Sequence, residues 1–194
     1  GCNICYSCFH EAVPIRCTQN PTMGEEWRRG WHPEHIDQKI SNDSVLVVGA
    51  GPAGMEAARA LGQRGYSVIL AEMGKELGGR LLTEARLPGL SSWIRVRDWR
   101  LDQINRLPNV EIYLDSRLDE NHILEFGFPR VVLATGASWS AGLADQRDVS
   151  LPIESAVNIL TPDDILGGFQ SSGTILVYDY DHYYMASCLA EQLA

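Results

Sequence analysis

The stretch that most constrains this chain is Ser44–Glu72, reading SVLVVGAGPAGMEAARALGQRGYSVILAE. Four apolar residues, Val45 to Val48, run straight into Gly49-Ala50-Gly51-Pro52-Ala53-Gly54, and a small-residue helical segment follows. A second apolar run, Val68 to Ala71, then ends on an acid, Glu72, with Met73 after it. Strand, glycine turn, helix and strand in that order form the opening unit of a dinucleotide-binding fold. Gly49 permits the tight turn off the strand, Gly51 lets backbone approach a pyrophosphate, and Gly54 lets the helix pack close to the sheet. The helix start offers N–H groups and a positive dipole end to phosphates. Glu72 lies 18 residues past Gly54, near the spacing of an acid that accepts from ribose hydroxyls.

Bulk properties set looser bounds. A hydrophobic fraction of 45% and a charged fraction of 21% are ordinary for a globular chain. The formal net charge of −9 argues against a nucleic-acid partner, because a phosphate backbone needs a basic face. No apolar run approaches the roughly 18 residues of a membrane span, and no signal-peptide pattern is present. A cytoplasmic location without a membrane partner is therefore expected. The chain opens without an initiator Met and is expected to be a fragment truncated at both ends.

Cys2, Cys5, Cys8 and Cys17 crowd the first 17 residues, and only Cys188 lies elsewhere. Beside a nucleotide fold, such clustering favours a metal site over a disulfide staple. Cuboidal iron–sulfur clusters take three close cysteines and one remote. Zinc on Cys2, Cys5, Cys17 and His10 is the alternative, with metal-free thiols the third possibility; His10 alone reads as a solvent-facing loop residue. Residues 18–40 read as a connector, with turns at Asn20-Pro21 and His32-Pro33. Within it Glu25, Glu26, Arg28 and Arg29 are expected to form local ion pairs, and Trp27 and Trp31 suit one buried stripe.

Further along, Ile94, Leu101, Ile104 and Leu107 are spaced for a helix over Ser91–Leu107. Its four arginines, Arg95, Arg97, Arg100 and Arg106, read as a solvated face, or as a docking surface for an acidic partner. Strands are expected at Val110–Leu114, with Ser116, Arg117 and Leu118 as candidate adenine contacts, and at Arg130–Ala134, closing on Thr135-Gly136-Ala137. A short helix over Asn121–Phe126 falls between them. Thr161-Pro162-Asp163-Asp164 is a helix start, with a Thr cap, an early Pro and acids near the dipole. A strand at Thr174–Tyr178 and a helix at Tyr183–Leu193 should open a second nucleotide domain. The turn between them, Asp179 to Tyr184, carries bulky and acidic residues where an NAD(P)H site needs glycines, so no NAD(P)H is expected there. The fold class is α/β, a Rossmann-like FAD/NAD(P)-binding three-layer fold preceded by a Cys-rich iron–sulfur segment. Its parts are residues 1–40 (cluster segment and connector), 41–150 (first dinucleotide-binding domain) and 151–194 (connection and the start of a second, degenerate domain).

The segments GCNIC, CTQNPTMGEEWRRGWHPE, VLVVGAGPAGMEAARAL, LGGRL and VVLATGASW together resemble the iron–sulfur flavoproteins of the trimethylamine dehydrogenase class. Dimethylamine and histamine dehydrogenases and N-methylproline demethylases belong to that class, and the 2,4-dienoyl-CoA reductases are more distant. The resemblance covers essentially the whole chain, while the chain covers only part of the family's architecture. It implies a missing (β/α)₈ barrel with FMN and the substrate pocket, then a [4Fe-4S] segment, then two nested nucleotide domains. Alignment on GCN implies Cys2, Cys5 and Cys17 as cluster ligands, with another ligand upstream and Cys8 outside the set; a register using all four cysteines is the alternative.

The resemblance further implies ADP, or FAD, held by Gly49, Gly51, Pro52, Ala53, Gly54, Glu72, Met73, Gly79, Arg80, Leu81, Ala134, Thr135 and Gly136, with Gly78 lining the same groove. In such proteins a small amine is oxidised at FMN, and electrons pass singly through the cluster to an electron-transferring flavoprotein. A homodimer is expected. No catalytic residue of amine oxidation is expected within this chain. Two alternatives stand: an FAD/[4Fe-4S] NAD(P)H-dependent enoate or dienoyl-CoA-type reductase, and a non-catalytic nucleotide- or metal-binding module.

Overall fold

A computed structural model describes residues 4–10, 12–20, 22–32, 35–142, 157–170, 173–179 and 184–194. The elements in chain order are α1 (Ile4–His10), α2 (Glu26–Arg29), β1 (Val45–Val48), α3 (Pro52–Gln63), β2 (Val68–Ala71), α4 (Leu81–Glu84) and a 3₁₀ turn at Ser91–Trp93. There follow α5 (Ile94–Asn105), β3 (Val110–Tyr113), α6 (Glu120–Glu125), β4 (Arg130–Leu133), α7 (Pro162–Leu166) and α8 (Met185–Leu193). No helix among the described residues is long and apolar enough to cross a membrane.

The four strands form one parallel sheet in the order β3-β2-β1-β4. Val45 pairs with Val68 on one side and with Arg130 on the other, and Val68 pairs with Val110. All four residues of β1 are buried, as an apolar run covered on both faces requires. Period-two alternation divides them. Val45 and Val47 join Met55, Ala58, Tyr66, Val68, Leu70 and Ile104 on the face covered by α3 and α5. Leu46 and Val48 join Ala71 on the opposite face, covered by Leu118, Ile123 of α6 and Phe128. The result is the expected three layers. Sequence order reverses beside β1, since β2 and β3 extend one way and β4 returns to its other edge. Ligands of open α/β sheets bind outside the strand ends at such a switch point.

Several expectations need correction. The arginines of α5 do not share a solvated face. Arg100 is 4% exposed; its Nε donates to Glu56 Oε2 at 2.9 Å and its Nη1 to the Val96 carbonyl at 3.1 Å. Glu56 also takes Arg59 at 2.6 Å, so one carboxylate joins two guanidiniums where α3 crosses α5. Arg97 is mostly covered too, pairing with Asp98 at 2.8 Å, whereas Arg95 and Arg106 face solvent. Trp27 and Trp31 form no buried stripe: they are 86% and 47% exposed. α2 is a single turn ended by left-handed Gly30, too short to lay two tryptophans against a core. The local ion pairs do form, with Glu25 taking Arg28 at 2.6 Å and Arg29 at 2.8 Å.

Residues 174–178 are not a strand. Leu176 is 90% exposed, and without a neighbouring ladder an apolar run has nothing to hold it extended. His10 ends a helix rather than lying in a loop, with its ring edge-on to Tyr6 at 4.3 Å. α7 has the expected start: Asp164 Oδ2 accepts from the Thr161 N–H at 2.8 Å, and the Thr161 side chain accepts from Asp164 N in return. α8 packs Met185 and Leu189 against Leu87 and Leu90, with Trp93 and Trp139 alongside.

Removing a buried guanidinium strands its partner, and such losses usually cost about 3–5 kcal/mol. Because Glu56 keeps Arg59, Arg100→Met should cost about 2 kcal/mol in chemical denaturation. Arg95→Met, on the exposed side of the same helix, should stay within about 0.5 kcal/mol of the parent.

Candidate nucleotide site

The turn after β1 is built from backbone pressed against backbone. A Cβ on Gly54 would overlap the Gly49 carbonyl oxygen. One on Gly49, which has φ of +96°, would overlap the Ala134 carbonyl. The Ala134 N–H donates to the Val48 carbonyl at 2.8 Å, which fixes the turn after β4 beside the turn after β1. On the third side, a Cβ on Gly79 would lie 3.0 Å from Gly51 Cα, and the Gly78 N–H donates to the Ala50 carbonyl at 2.8 Å. Three turns thus converge on Gly51.

Gly51 and Gly136 are different. A Cβ on either meets nothing within 4 Å. Gly51 is the N-cap of α3, no side chain caps that helix, and Pro52 and Ala53 beside it are exposed. Thr135 and Gly136, in the turn after β4, are exposed as well. An uncapped helix start under an open backbone cradle suits a phosphate group in shape and dipole. The residues present therefore fit a nucleotide pyrophosphate.

Glu72 is 8% exposed, and both its oxygens receive backbone N–H groups. Oε2 accepts from Ala50 at 2.7 Å and Oε1 from Gly74 at 2.8 Å. Its carboxylate therefore shapes the glycine turn, a task the sequence spacing does not reveal. Each oxygen retains a second acceptor site, enough for ribose hydroxyls. Met73 next to it is 70% exposed. Leu81, expected along the groove, is instead 6% exposed and packs inward. Ser116 follows β3, donates its N–H to the Glu72 carbonyl at 2.8 Å, and so borders the same crevice.

Arg80 is the residue whose surroundings differ most from expectation. Its Nη1 donates to Asp163 Oδ1 at 2.5 Å and its Nη2 to the Ala137 carbonyl at 2.7 Å. Asp163 Oδ2 also accepts the Trp139 N–H at 2.9 Å. Hydrogen bonding to Arg80 holds the Asp163 carboxyl below its ordinary range, and the same bond raises the pKa of the guanidinium. Arg80 Nε lies 3.7 Å from Glu84, whose carboxyl is 8% exposed and accepts from the Tyr184 hydroxyl at 3.4 Å. The sequence marked Asp163 only as an acid at a helix start and Ala137 only as the end of a turn, because partners 83 and 57 residues away leave no local signal of the contact.

The cysteine segment is described in part. Cys5 and Cys8 sit one turn apart on α1, Cys17 follows in the loop, and all three are free and half-buried. The Gln19 and Asn20 N–H groups point at Cys17 Sγ from 3.4 and 3.3 Å, an arrangement that suits a thiolate ligand. Cys2 lies outside the described residues, and among those described no three His, Cys, Asp or Glu side chains are gathered as a metal site. Residues 180–183 of the expected degenerate turn also lie outside them.

Two outcomes follow from this geometry. Gly54→Ala should destabilise by more than about 3 kcal/mol, because the obstacle is backbone. Gly51→Ala, at φ of −67° in open space, should stay within about 0.5 kcal/mol of the parent in the same denaturation measurement. For Glu84, burial raises the carboxyl pKa above the ordinary 4.5, against the pull of Arg80 and Tyr184. An acid raised on folding favours the fold below its unfolded pKa and loses that contribution as pH rises through the folded value. Glu84→Gln should therefore match the parent near pH 4 and be the more stable at pH 7, read from urea midpoints.

Residues 47–104 match the family model of the NAD(P)-binding Rossmann-like domain. Over its whole length the chain is 43% identical to dimethylamine dehydrogenase of Hyphomicrobium sp. (strain x), of which it spans 28%. It superposes on 6-hydroxypseudooxynicotine amine oxidase from Pseudomonas geniculata N1 with a TM-score of 0.89 and 46% identity, covering 100% of this chain and 29% of that one. With histamine dehydrogenase from Rhizobium sp. 4-9 the TM-score is 0.87 and the identity 51%, over 98% of this chain and 30% of that one. The glycine turns and sheet order described above lie within these matches, and over its whole length the chain is similar to these amine-oxidising enzymes while spanning less than a third of theirs.

Proposed function

We propose that this chain is the nucleotide-binding and electron-transfer part of an iron–sulfur flavoprotein amine dehydrogenase. The observation that carries the reading is the open cradle at Gly51, held between closed glycine contacts at Gly49, Gly54 and Gly79. In this reading the backbone of Gly51, Pro52, Ala53 and Gly54 receives the pyrophosphate at the start of α3, and Thr135 and Gly136 border it. Glu72 accepts the ribose hydroxyls with its remaining lone pairs while holding Ala50 and Gly74 in position. Met73 lies over the nucleoside. The nucleotide is ADP, serving as structure.

Cys2, Cys5 and Cys17 would hold a [4Fe-4S] cluster, with the N–H groups of Gln19 and Asn20 steadying the Cys17 sulfur. When bound, such a cluster supplies single-electron transfer. The 28% coverage of the dimethylamine dehydrogenase accords with amine oxidation at FMN elsewhere in the protein. A small amine is then the substrate, an electron-transferring flavoprotein the acceptor, and a homodimer the assembly.

The test is to denature the full-length protein and identify the released nucleotide. One ADP per chain beside FMN is expected, and Gly51→Ala should lose the ADP while its melting temperature in the nucleotide-free state is unchanged. Release of FAD together with rapid NADH oxidation would instead make the protein a reductase, and release of no adenine nucleotide would defeat the reading.

A further inference from the structure

Arg80 lies immediately after Gly79, the residue that touches the pyrophosphate turn at Gly51. A cation there would ordinarily be assigned to the phosphates. Three of its five N–H donors already have partners. One end of the guanidinium fork bonds Asp163 Oδ1 at 2.5 Å, and the other bonds the Ala137 carbonyl at 2.7 Å and Asp163 Oδ2 at 3.3 Å. Asp163 in turn accepts the Trp139 N–H at 2.9 Å. Arg80 and its partners come from three separate places: the loop entering α4, the segment after β4, and the first turn of α7.

Charge leads to the same conclusion. Asp163 and Glu84 both lie within 4 Å of the one guanidinium, so the cluster carries no surplus positive charge to offer a diphosphate. A planar fork is suited to holding a carboxylate and a carbonyl in fixed directions, and a lysine cannot copy it. The bridging distance in sequence, 83 residues, means that the contact fixes tertiary rather than local geometry.

We infer that Arg80 is a positioning residue: through Asp163 and the Ala137 carbonyl it clamps the Gly78–Gly79 loop to the Thr135–Gly136 turn, and so sets the width of the cleft that receives the pyrophosphate. The inference rests on the nucleotide reading above. It makes Asp163, on a helix outside the first nucleotide domain, a determinant of nucleotide affinity. It also links the segment at α7 to occupancy of the first site.

A double-mutant cycle on the full-length protein tests this, with ADP and adenosine titrated into nucleotide-depleted enzyme. Arg80→Gln and Asp163→Asn should each weaken ADP about tenfold, and the double variant should be no weaker than either, as for two residues acting as one unit. Arg80→Lys should weaken ADP as Arg80→Gln does, because charge without the fork does not rebuild the clamp. Adenosine, which lacks the pyrophosphate, should bind all variants as it binds the parent. Loss of ADP in Arg80→Gln with Asp163→Asn unaffected, or rescue by Arg80→Lys, would make Arg80 a direct phosphate contact and overturn the inference. Equal weakening of ADP and adenosine would make the pair merely structural and overturn it as well. A parent protein that binds neither ligand would defeat the nucleotide reading itself, a result distinct from all of these.

Discussion

The contact on which the rest of the structure depends is the approach of Gly54 to the carbonyl of Gly49. No side chain separates α3 from β1 there, and none can, because the first atom of one would overlap backbone. The same exclusion recurs where Gly49 meets Ala134. Two turns from strands 85 residues apart in sequence, β1 ending at Val48 and β4 ending at Leu133, are thereby pressed together at the point where strand order reverses. Parallel pairing alone would tolerate a range of separations at the strand ends. The glycine contacts remove that freedom, and the crevice at Gly51 is what remains.

How such a crevice would attract an anion, as the proposed function requires, is less obvious in a chain with a formal charge of −9. Glu72, Glu84 and Asp163 are all close to it, and Arg80 is engaged by the last two. In the proposed reading the attraction comes from backbone dipoles. A helix start contributes about 0.3–1 kcal/mol per charge at an exposed surface and up to about 2 kcal/mol when partly buried. Glu72 does not oppose this with a free lone charge, since its oxygens are turned onto the Ala50 and Gly74 N–H groups. A site of this kind selects by shape and donor direction, so small changes in the spacing of its turns matter more than the count of nearby cations.

Much of this was legible in the sequence because the constraints are local. The apolar runs of β1 and β2, the glycine spacing, the acid at Glu72 and the Thr161–Asp164 cap each involve residues within one turn or one strand–helix unit. What was not legible involves distance. Arg100 looks like Arg95 on the helix, and only the crossing of α3, bringing Glu56 from 44 residues away, decides that one is buried and the other is not. Trp27 reads as core by composition, yet its helix is one turn long and leaves it at 86% exposure. Residues 174–178 have strand composition, but a strand exists only against a neighbour. Side-chain type announces what a residue can do; the partner that makes it do so is set by the fold.

Arg80 and Arg100 show how far that distinction reaches. Both are arginines paired to carboxylates by short bonds, at 2.5 and 2.9 Å. The Arg100 side chain is 5% exposed between two twelve-residue helices, where a guanidinium left unmatched would be costly and the pair fixes the crossing of rigid elements. The Arg80 side chain is 31% exposed and its partner 37%, a setting in which an ion pair contributes about 1 kcal/mol or less. Stability alone gives little reason for a fork bonded to two segments among loops. Its geometric consequence is larger than its energy: two turns and a helix are held in register around the open cradle. An interaction too weak to hold up a fold is still strong enough to set the width of a cleft, because the cleft is already pinned on its other sides by glycine contacts that cannot yield.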